Sequence, residues 1–512
     1  MSGVTEPAGE PITAPAELNA PVPDALLEAD ATPPGPAVPA PAPGPAPAEQ
    51  IVAATSEVWR LLGGGDLPAP LEVTGPGHTL PSRLPVTTLA ATTVAAATLA
   101  AVDLATARGA AAPASATVDT SAVATAFTSE RLLRVEGHDF TGFAPLSRFW
   151  TAADGRVRTH GNYPHHRSAL LAALDISEQP DSAALTARVG DAIAALPAEE
   201  VATRVTGAGG LAVVVRTPDE WRASPQGAAV VGQPLLSLHR VGDAGAVPLA
   251  AMPTDPLLPA AGIRVLDFSR VLAGPVATRT LALLGADVLR VDTPNLPEDP
   301  DLHQDTGLGK RSTLLDLDKP DDRARLDDLL SRADVVVTGY RPGALSRHGL
   351  GASDLLSRYP SLVVGTLSAW GTAGPWSGRR GFDSLVQAAC GIAAIEADAH
   401  GQPGALPAQA LDHGSGYLLA AAVLRGLAER TRTGGGWHAE VALARTAQWL
   451  TDALPPTPGR LAATLDANRW CATTEGPGGR VRYALPPVAL PGGPTTWAAP
   501  ATAWGSDEAA WR

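Results

Sequence analysis

Cysteine is almost missing from this chain, with two in 512 residues, Cys390 and Cys471. Two thiols make no disulfide framework and no metal-ligand spacing, so a cytoplasmic protein without a bound metal is expected. Aromatic residues are scarce at 4%. A core must therefore be built from Ala, Val and Leu. Basic residues are outnumbered 38 to 52, for a formal net charge of −14. That balance excludes a nucleic-acid partner at the level of the whole chain. Nucleotide fingerprints are missing too. No loop reads G-x-G-x-x-G, and GLGKRS at 307–312 has a Gly-x-Gly-Lys core without the Walker spacing. A nicotinamide enzyme or an NTPase is excluded on those grounds. No basic segment followed by an apolar run opens the chain, so no secretion signal is expected. One charge-free run, Leu84–Val102, is long enough to span a bilayer. It is built from Ala and Thr, with Pro85 near its start and Asp103 after its end, so a buried or amphipathic helix is expected and no membrane partner.

What is present is a hydrophobic fraction of 45%, that of a globular protein. Residues 1–47 are a Pro/Ala tract with acids, expected to stay disordered because it cannot bury enough apolar surface. A helical segment follows over 48–124, then a smaller α+β region over 125–255. Within the latter, residues 148–163 read as a hairpin turning at Asp154-Gly155. TPDEW at 217–221 reads as a helix start capped by Thr217. His160, His165 and His166 lie close in sequence, but no Cys or carboxylate stands at matching spacing, so a metal is not expected there.

Residues 256–452 change character. Apolar strands are expected at 262–269, 287–294, 312–317, 334–340 and 361–370, with helices between them at 271–286, 321–333 and 344–349. Strands alternating with helices predict an α/β fold, a parallel sheet with helices on both faces. Ligands of such sheets bind beyond the strands' carboxyl ends. The last segment, 453–512, reads as a return segment packed on another element. Two stretches echo each other: 418–447 and 94–124 both run Ala-rich helix, basic residue and Gly, turn, short strand, helix start. Only the later copy has an acid before its helix. That acid, Asp412, precedes His413-Gly414-Ser415-Gly416 and a helix pattern from Tyr417 to Arg430. It fits a helix N-cap, and it equally fits a carboxylate nucleophile in a small-residue neighbourhood.

Residues 260–450 resemble the class III CoA-transferase family, which includes carnitine-related transferases and α-methylacyl-CoA racemases. The stretches are GIRVLDFSRVLAGPVATRTLALLGADVLRVDTP (262–294), GKRSTLLDL (309–317), ADVVVTGYRPGALSRHGL (333–350), GFDSLVQAACG (381–391) and ALDHGSGYLLAAAVLRGLAERTRTGGG (410–436). Residues 125–245 resemble the family's smaller domain, which usually follows the sheet domain. Here it precedes it, so the resemblance implies a permuted chain with a Rossmann-like sheet domain.

The resemblance implies that CoA moves from an acyl-CoA to a small carboxylic acid through a covalent aspartyl intermediate. It makes Asp412 the nucleophile and Asp383 a supporting carboxylate. It assigns CoA contacts to Val271, Leu272, Leu308, Gly309, Lys310, Gly339, Tyr340, Arg341, Arg347 and Arg380. Lys310, Arg311 and the arginines would offset the phosphates, while Gly414 and Gly416 would leave space for substrate. The family's dimers imply a possible homodimer. The glycine-rich loop over the nucleophile has its nearest position at Thr141-Gly142-Phe143. Alternatives remain. A racemase needs a second acid/base group, and where racemases carry His this chain has Phe382, with His413 and His138 available elsewhere. A weakly catalytic acyl-CoA-binding protein is the third reading.

Overall fold

Val335, Val336 and Val337 are all fully buried, and that β-branched run is the centre of a seven-stranded sheet. Strands covered on both faces need such continuous apolar runs. The spatial order is Arg311–Leu314, Asp287–Asp292, Arg264–Phe268, Val335–Thr338, Val363–Ser368, Gly436–Ala442 and Leu236–Val241. The first six are parallel. Leu236–Val241 closes the edge antiparallel to Gly436–Ala442. This last strand is absent from the sequence-based expectation. The fold is thus mixed α/β with a mostly parallel sheet. The computed structural model describes residues 47–140, 142–457 and 463–512. The expectation for the Pro/Ala tract falls, except for Pro47, outside the described residues.

Helix Ala410–Thr433 lies across one face of the sheet. Gly365 leaves the space into which Val423 and Leu419 pack. On its other side it runs against helix Val86–Ala107, the most extensive helix pairing in the protein. Both are rich in Ala, and small side chains let two helices approach closely. Asp103 locks the pair by accepting from Arg425 Nη1 at 2.7 Å and from Arg432 Nη2 at 2.7 Å. Helix Val86–Ala107 is long and apolar enough to cross a membrane by length and composition, yet its whole apolar window is buried inside the protein.

The two echoing stretches have the same element order. Helix Val86–Ala107 leads to strand Ala116–Asp119 and helix Thr120–Ala126, and helix Ala410–Thr433 leads to strand Gly436–Ala442 and helix Leu443–Asp452. The earlier strand pairs in parallel with Leu71–Thr74, apart from the main sheet.

A three-stranded antiparallel sheet, Phe149–Thr151, Arg156–Thr159 and Ala212–Val214, carries helices Pro164–Ala173, Ala183–Ala194 and Ala198–Gly207 over its own apolar cluster around Trp150, Val157 and Ile193. Thr217 closes a capping box with Glu220. The C-terminal stretch contains a hairpin, Cys471–Gly476 with Gly479–Ala484, that joins Arg134–Val135. It then returns along the main sheet's far edge. Trp497 Nε1 donates to Arg279 O at 2.9 Å, Trp504 Nε1 to Asp292 at 3.0 Å, and Trp511 Nε1 to Leu329 O at 3.0 Å.

Candidate active site

Asp412 is not the cap of its helix. The helix begins at Ala410, with Gln409 at the cap position and no side-chain capping bond, so Asp412 sits inside the first turn and Tyr417 lies well within. The capping role falls to Asp383, the first residue of helix Asp383–Ala389. Its Oδ2 accepts the backbone N–H of Leu411 at 2.9 Å and of Asp412 at 3.0 Å. Its Oδ1 accepts from Gln387 Nε2, whose Oε1 takes the Leu406 amide at 2.9 Å. Free amides at a helix start need such an acceptor. Asp383 therefore fixes the turn that carries Asp412.

Both acids are buried. Burial pushes Asp383 up to about 6, against the pull of the hydrogen bonds from Asp412, Gln387 and Leu411. Asp412 is held well above the usual carboxylate range, first by burial and then by Asp383 and Glu130. For Glu130, from the N-terminal half, burial is the largest effect and pushes up, but the hydrogen bond and charge of His413, a backbone hydrogen bond and Arg131 together leave it shifted down.

Two cavities meet at Asp412. One, of about 560 Å³, is a groove beyond the carboxyl ends of the parallel strands. The other, of about 360 Å³, is a chamber lined by Phe140, Phe143, Leu302 and His160. Asp412, Val271, Leu272 and Phe382 border both. Val271 holds a positive φ of 69°, which a β-branched residue rarely adopts, so the turn at this border is strained. The helix after it, Ala273–Leu283, has no side-chain cap, and its first residue, Ala273, lines the groove. Such a start favours an anion.

The groove is basic although the chain is acidic. Arg270, Arg341, Arg347, Arg379 and Arg380 all line it. Arg270 is committed to Glu298 at 3.3 Å, and Arg347 pairs with Asp318 at 3.7 Å on the surface. Neither Arg341 nor Arg380 has a carboxylate partner among the described residues, and the Arg380 guanidinium is pushed down by burial and by Arg341. Two such cations side by side suit a multiply charged anion.

The groove thus brings together Val271, Leu272, Gly339, Tyr340, Arg341, Arg347 and Arg380. It leaves out Leu308, Gly309 and Lys310. Leu308 is 2% exposed in the core, and Gly309 backs onto Trp497. The Lys310 ammonium is buried under the first loop, donating to Asp267 at 3.1 Å and to the carbonyl oxygen of Pro275 at 2.9 Å. Burial lowers it to about 8. It is a strut, not a phosphate ligand. Arg311 is bound to Asp287 at 2.9 Å. The glycines near Asp412 also differ from expectation. A Cβ on Gly414 would meet Leu89, and one on Gly416 would meet the Ala273 carbonyl oxygen. They make room for neighbouring helices, not for substrate.

His413 is fully buried, 3.3 Å from Glu130 and stacked on Phe127, while His138 is exposed. The imidazole that lines the chamber is His160, stacked 3.9 Å from Phe382 and lowered to about 3 by burial. Sequence reasoning weighed His160 only as a metal ligand and passed over Glu130 and Arg379. Glu130 and His160 lie more than 200 positions before Asp412, and no local pattern links them. Thr141 lies outside the described residues, while Gly142 and Phe143 line the chamber.

Fold and site define an α/β protein with a basic groove and an apolar chamber converging on one buried carboxylate. Residues 260–469 match the model of CoA-transferase family III. It is 35% identical over 224 residues to an acetyl-coenzyme A transferase of Hypoxylon pulicicidum, covering 43% of this chain and 36% of the relative. It is 37% identical over 206 residues to a probable fatty acyl-CoA transferase of Mycobacterium tuberculosis, covering 38% and 52%. A crystal structure of a CAIB/BAIF family protein from Brucella suis is 25% identical, with a TM-score of 0.36, over 44% of this chain and 65% of that one. The chain spans between a third and about half of the length of these two curated relatives.

Proposed function

We propose that this protein is a CoA-transferase that moves CoA from an acyl-CoA to a carboxylic acid, with Asp412 as the nucleophile. The observation that carries the reading is the position of Asp412 at the one border shared by the arginine groove and the apolar chamber. A CoA thioester has a phosphorylated end for the former and an acyl end for the latter. The Asp412 carboxylate attacks the thioester carbon, the C–S bond breaks, and CoA leaves as the thiolate. The thiolate then attacks the aspartyl carbonyl of the mixed anhydride, releasing the donor acid and leaving an aspartyl-CoA thioester. The acceptor carboxylate repeats these two steps in reverse, with no net proton uptake. Helix Ala273–Leu283 has no side-chain cap and its first residue lines the same groove as Asp412, so its start is the available source of amides for developing oxyanion charge. The test is CoA exchange between an acyl-CoA and labelled free acids. Exchange is expected in the wild type and lost in Asp412→Ala; exchange that persists in the variant removes this reading.

One observation favours a second reading. His160 supplies the chamber with a neutral imidazole next to Phe382. An acid and a base beside one acyl group is what a racemase needs. Wash-in of deuterium at the α-carbon of a branched acyl-CoA, lost in His160→Ala, decides for it. Its absence, with transfer intact, decides against it.

A further inference from the structure

A third cavity, of about 510 Å³, lies on the sheet itself, where the antiparallel edge strand joins. Its wall carries His239, His438 and Glu440. In a strand, residues two apart share a face, so His438 and Glu440 of Gly436–Ala442 point the same way. Antiparallel pairing sets His239 directly opposite His438, and Ser237 opposite Glu440. The two imidazoles meet edge to face at 5.1 Å. One donor atom from each of the three side chains lies within 4.8 Å of the others. His438 Nε2 is 3.1 Å from Thr366 Oγ1 of the next strand, which fixes its ring. Ser237 Oγ donates to Glu440 at 3.4 Å. Each of the two ligands on the inner strand thus already has an outer partner of the kind that orients metal ligands.

We propose that His239, His438 and Glu440 form a site for one divalent transition-metal ion of the zinc class. Two neutral imidazoles and one carboxylate are a donor set that zinc takes at about 2.0–2.2 Å, with a fourth position left open. His239 is exposed, so its side chain has room to turn toward the other two donors. The open position faces the cavity, where Arg341 and Arg445 stand on the wall. An anion is the fitting fourth ligand there. The ion also clips the Leu236–Val241 strand to the sheet, joining the smaller α+β region's exit to the parallel core. None of the three ligands borders Asp412. Tyr340, Arg341 and Gly343 line both this cavity and the arginine groove, so the two cavities adjoin while the ligands themselves take no part in the transfer chemistry.

The experiment uses the full chain after chelator treatment, titrated with zinc alone by calorimetry, with bound zinc counted by elemental analysis after gel filtration. One zinc per chain is expected in the wild type and in Asp412→Ala. Affinity falls roughly 100-fold or more in the His239→Ala/His438→Ala double variant. Cobalt(II) gives visible d–d bands in the wild type and none in the double variant. His239→Ala alone also weakens binding, and its exposed position lets the sheet fold without it. His165→Ala leaves binding unchanged, which separates this site from the other histidine group. No stoichiometric zinc in the wild type, or zinc retained by the double variant, overturns the proposal.

Discussion

Asp383 and Asp412 carry opposite demands on the same few ångströms. An acid whose folded pKa is raised keeps its proton longer in the native state than in the unfolded chain. Its stabilisation is complete below its unfolded value and is lost as pH rises through the folded one. For Asp383 that window runs from the ordinary value of 3.8 up to about 6. Asp412 extends the loss upward, and ionised Asp412 is the form that the proposed attack requires. Asp412→Asn is therefore expected to abolish exchange by roughly 10³-fold or more. It is also expected to melt higher than the wild type at pH 8, by about 1–2 kcal/mol, and to match it near pH 4. Thermal melts at the two pH values check this. For the wild type, kcat rises with pH as Asp412 ionises. Asp383→Ala strips the acceptor from two helix-start amides and costs about 1–2 kcal/mol. It lowers kcat more than it raises KM, and Asp383→Asn recovers part of the loss because one amide oxygen still accepts.

Helix Ala410–Thr433 is held by glycines as much as by its apolar residues. An added Cβ at Gly416 would stand 2.5 Å from the Ala273 carbonyl oxygen, which belongs to the backbone of the groove's first helix. At Gly414 it would stand 2.8 Å from Leu89 Cδ2, the end of a flexible side chain. Gly416→Ala is expected to destabilise by about 1–3 kcal/mol and to lower exchange, because Asp412 moves with the helix. Gly414→Ala is expected to cost under about 1 kcal/mol. Denaturant melts of both variants test the contrast. The same glycines explain what the sequence concealed. His413-Gly414-Ser415-Gly416 are poor helix formers and look like a turn after a capping Asp. Packing on both sides overrides that preference, so the helix begins at Ala410, two residues before Asp412, instead of at Tyr417. The Leu236–Val241 strand was hidden for a related reason: its partner lies some 200 positions on, and edge pairing leaves little local pattern. Valine runs such as 335–337, buried on both faces, were legible at once.

At the scale of the whole molecule, a chain of net charge −14 presents a groove lined by five arginines. Acyl-CoA binding is expected to weaken with ionic strength. Arg341→Ala and Arg380→Ala are each expected to raise KM about tenfold with little change in kcat, since a phosphate contact worth about 1.4 kcal/mol is lost. Steady-state kinetics at two salt concentrations check both statements. Of the ten residues that the resemblance assigns to CoA, seven line the groove, since they sit in loops that follow recognisable strands. Lys310 failed because its neighbours in space, Asp267 and Thr278, were not visible as a buried pairing set. The chamber wall was legible only in part: Gly142 and Phe143 could be set near the nucleophile, but Glu130 and His160 arrive from a segment ahead of the sheet with no local pattern to mark them. The central claim is a covalent bond to one carboxylate. It is tested by incubating the protein with acyl-CoA and hydroxylamine and mapping peptides by mass spectrometry. A hydroxamate at Asp412 that depends on acyl-CoA is the expected result. An unmodified Asp412 in protein that still exchanges CoA, or an adduct on another carboxylate, would contradict it.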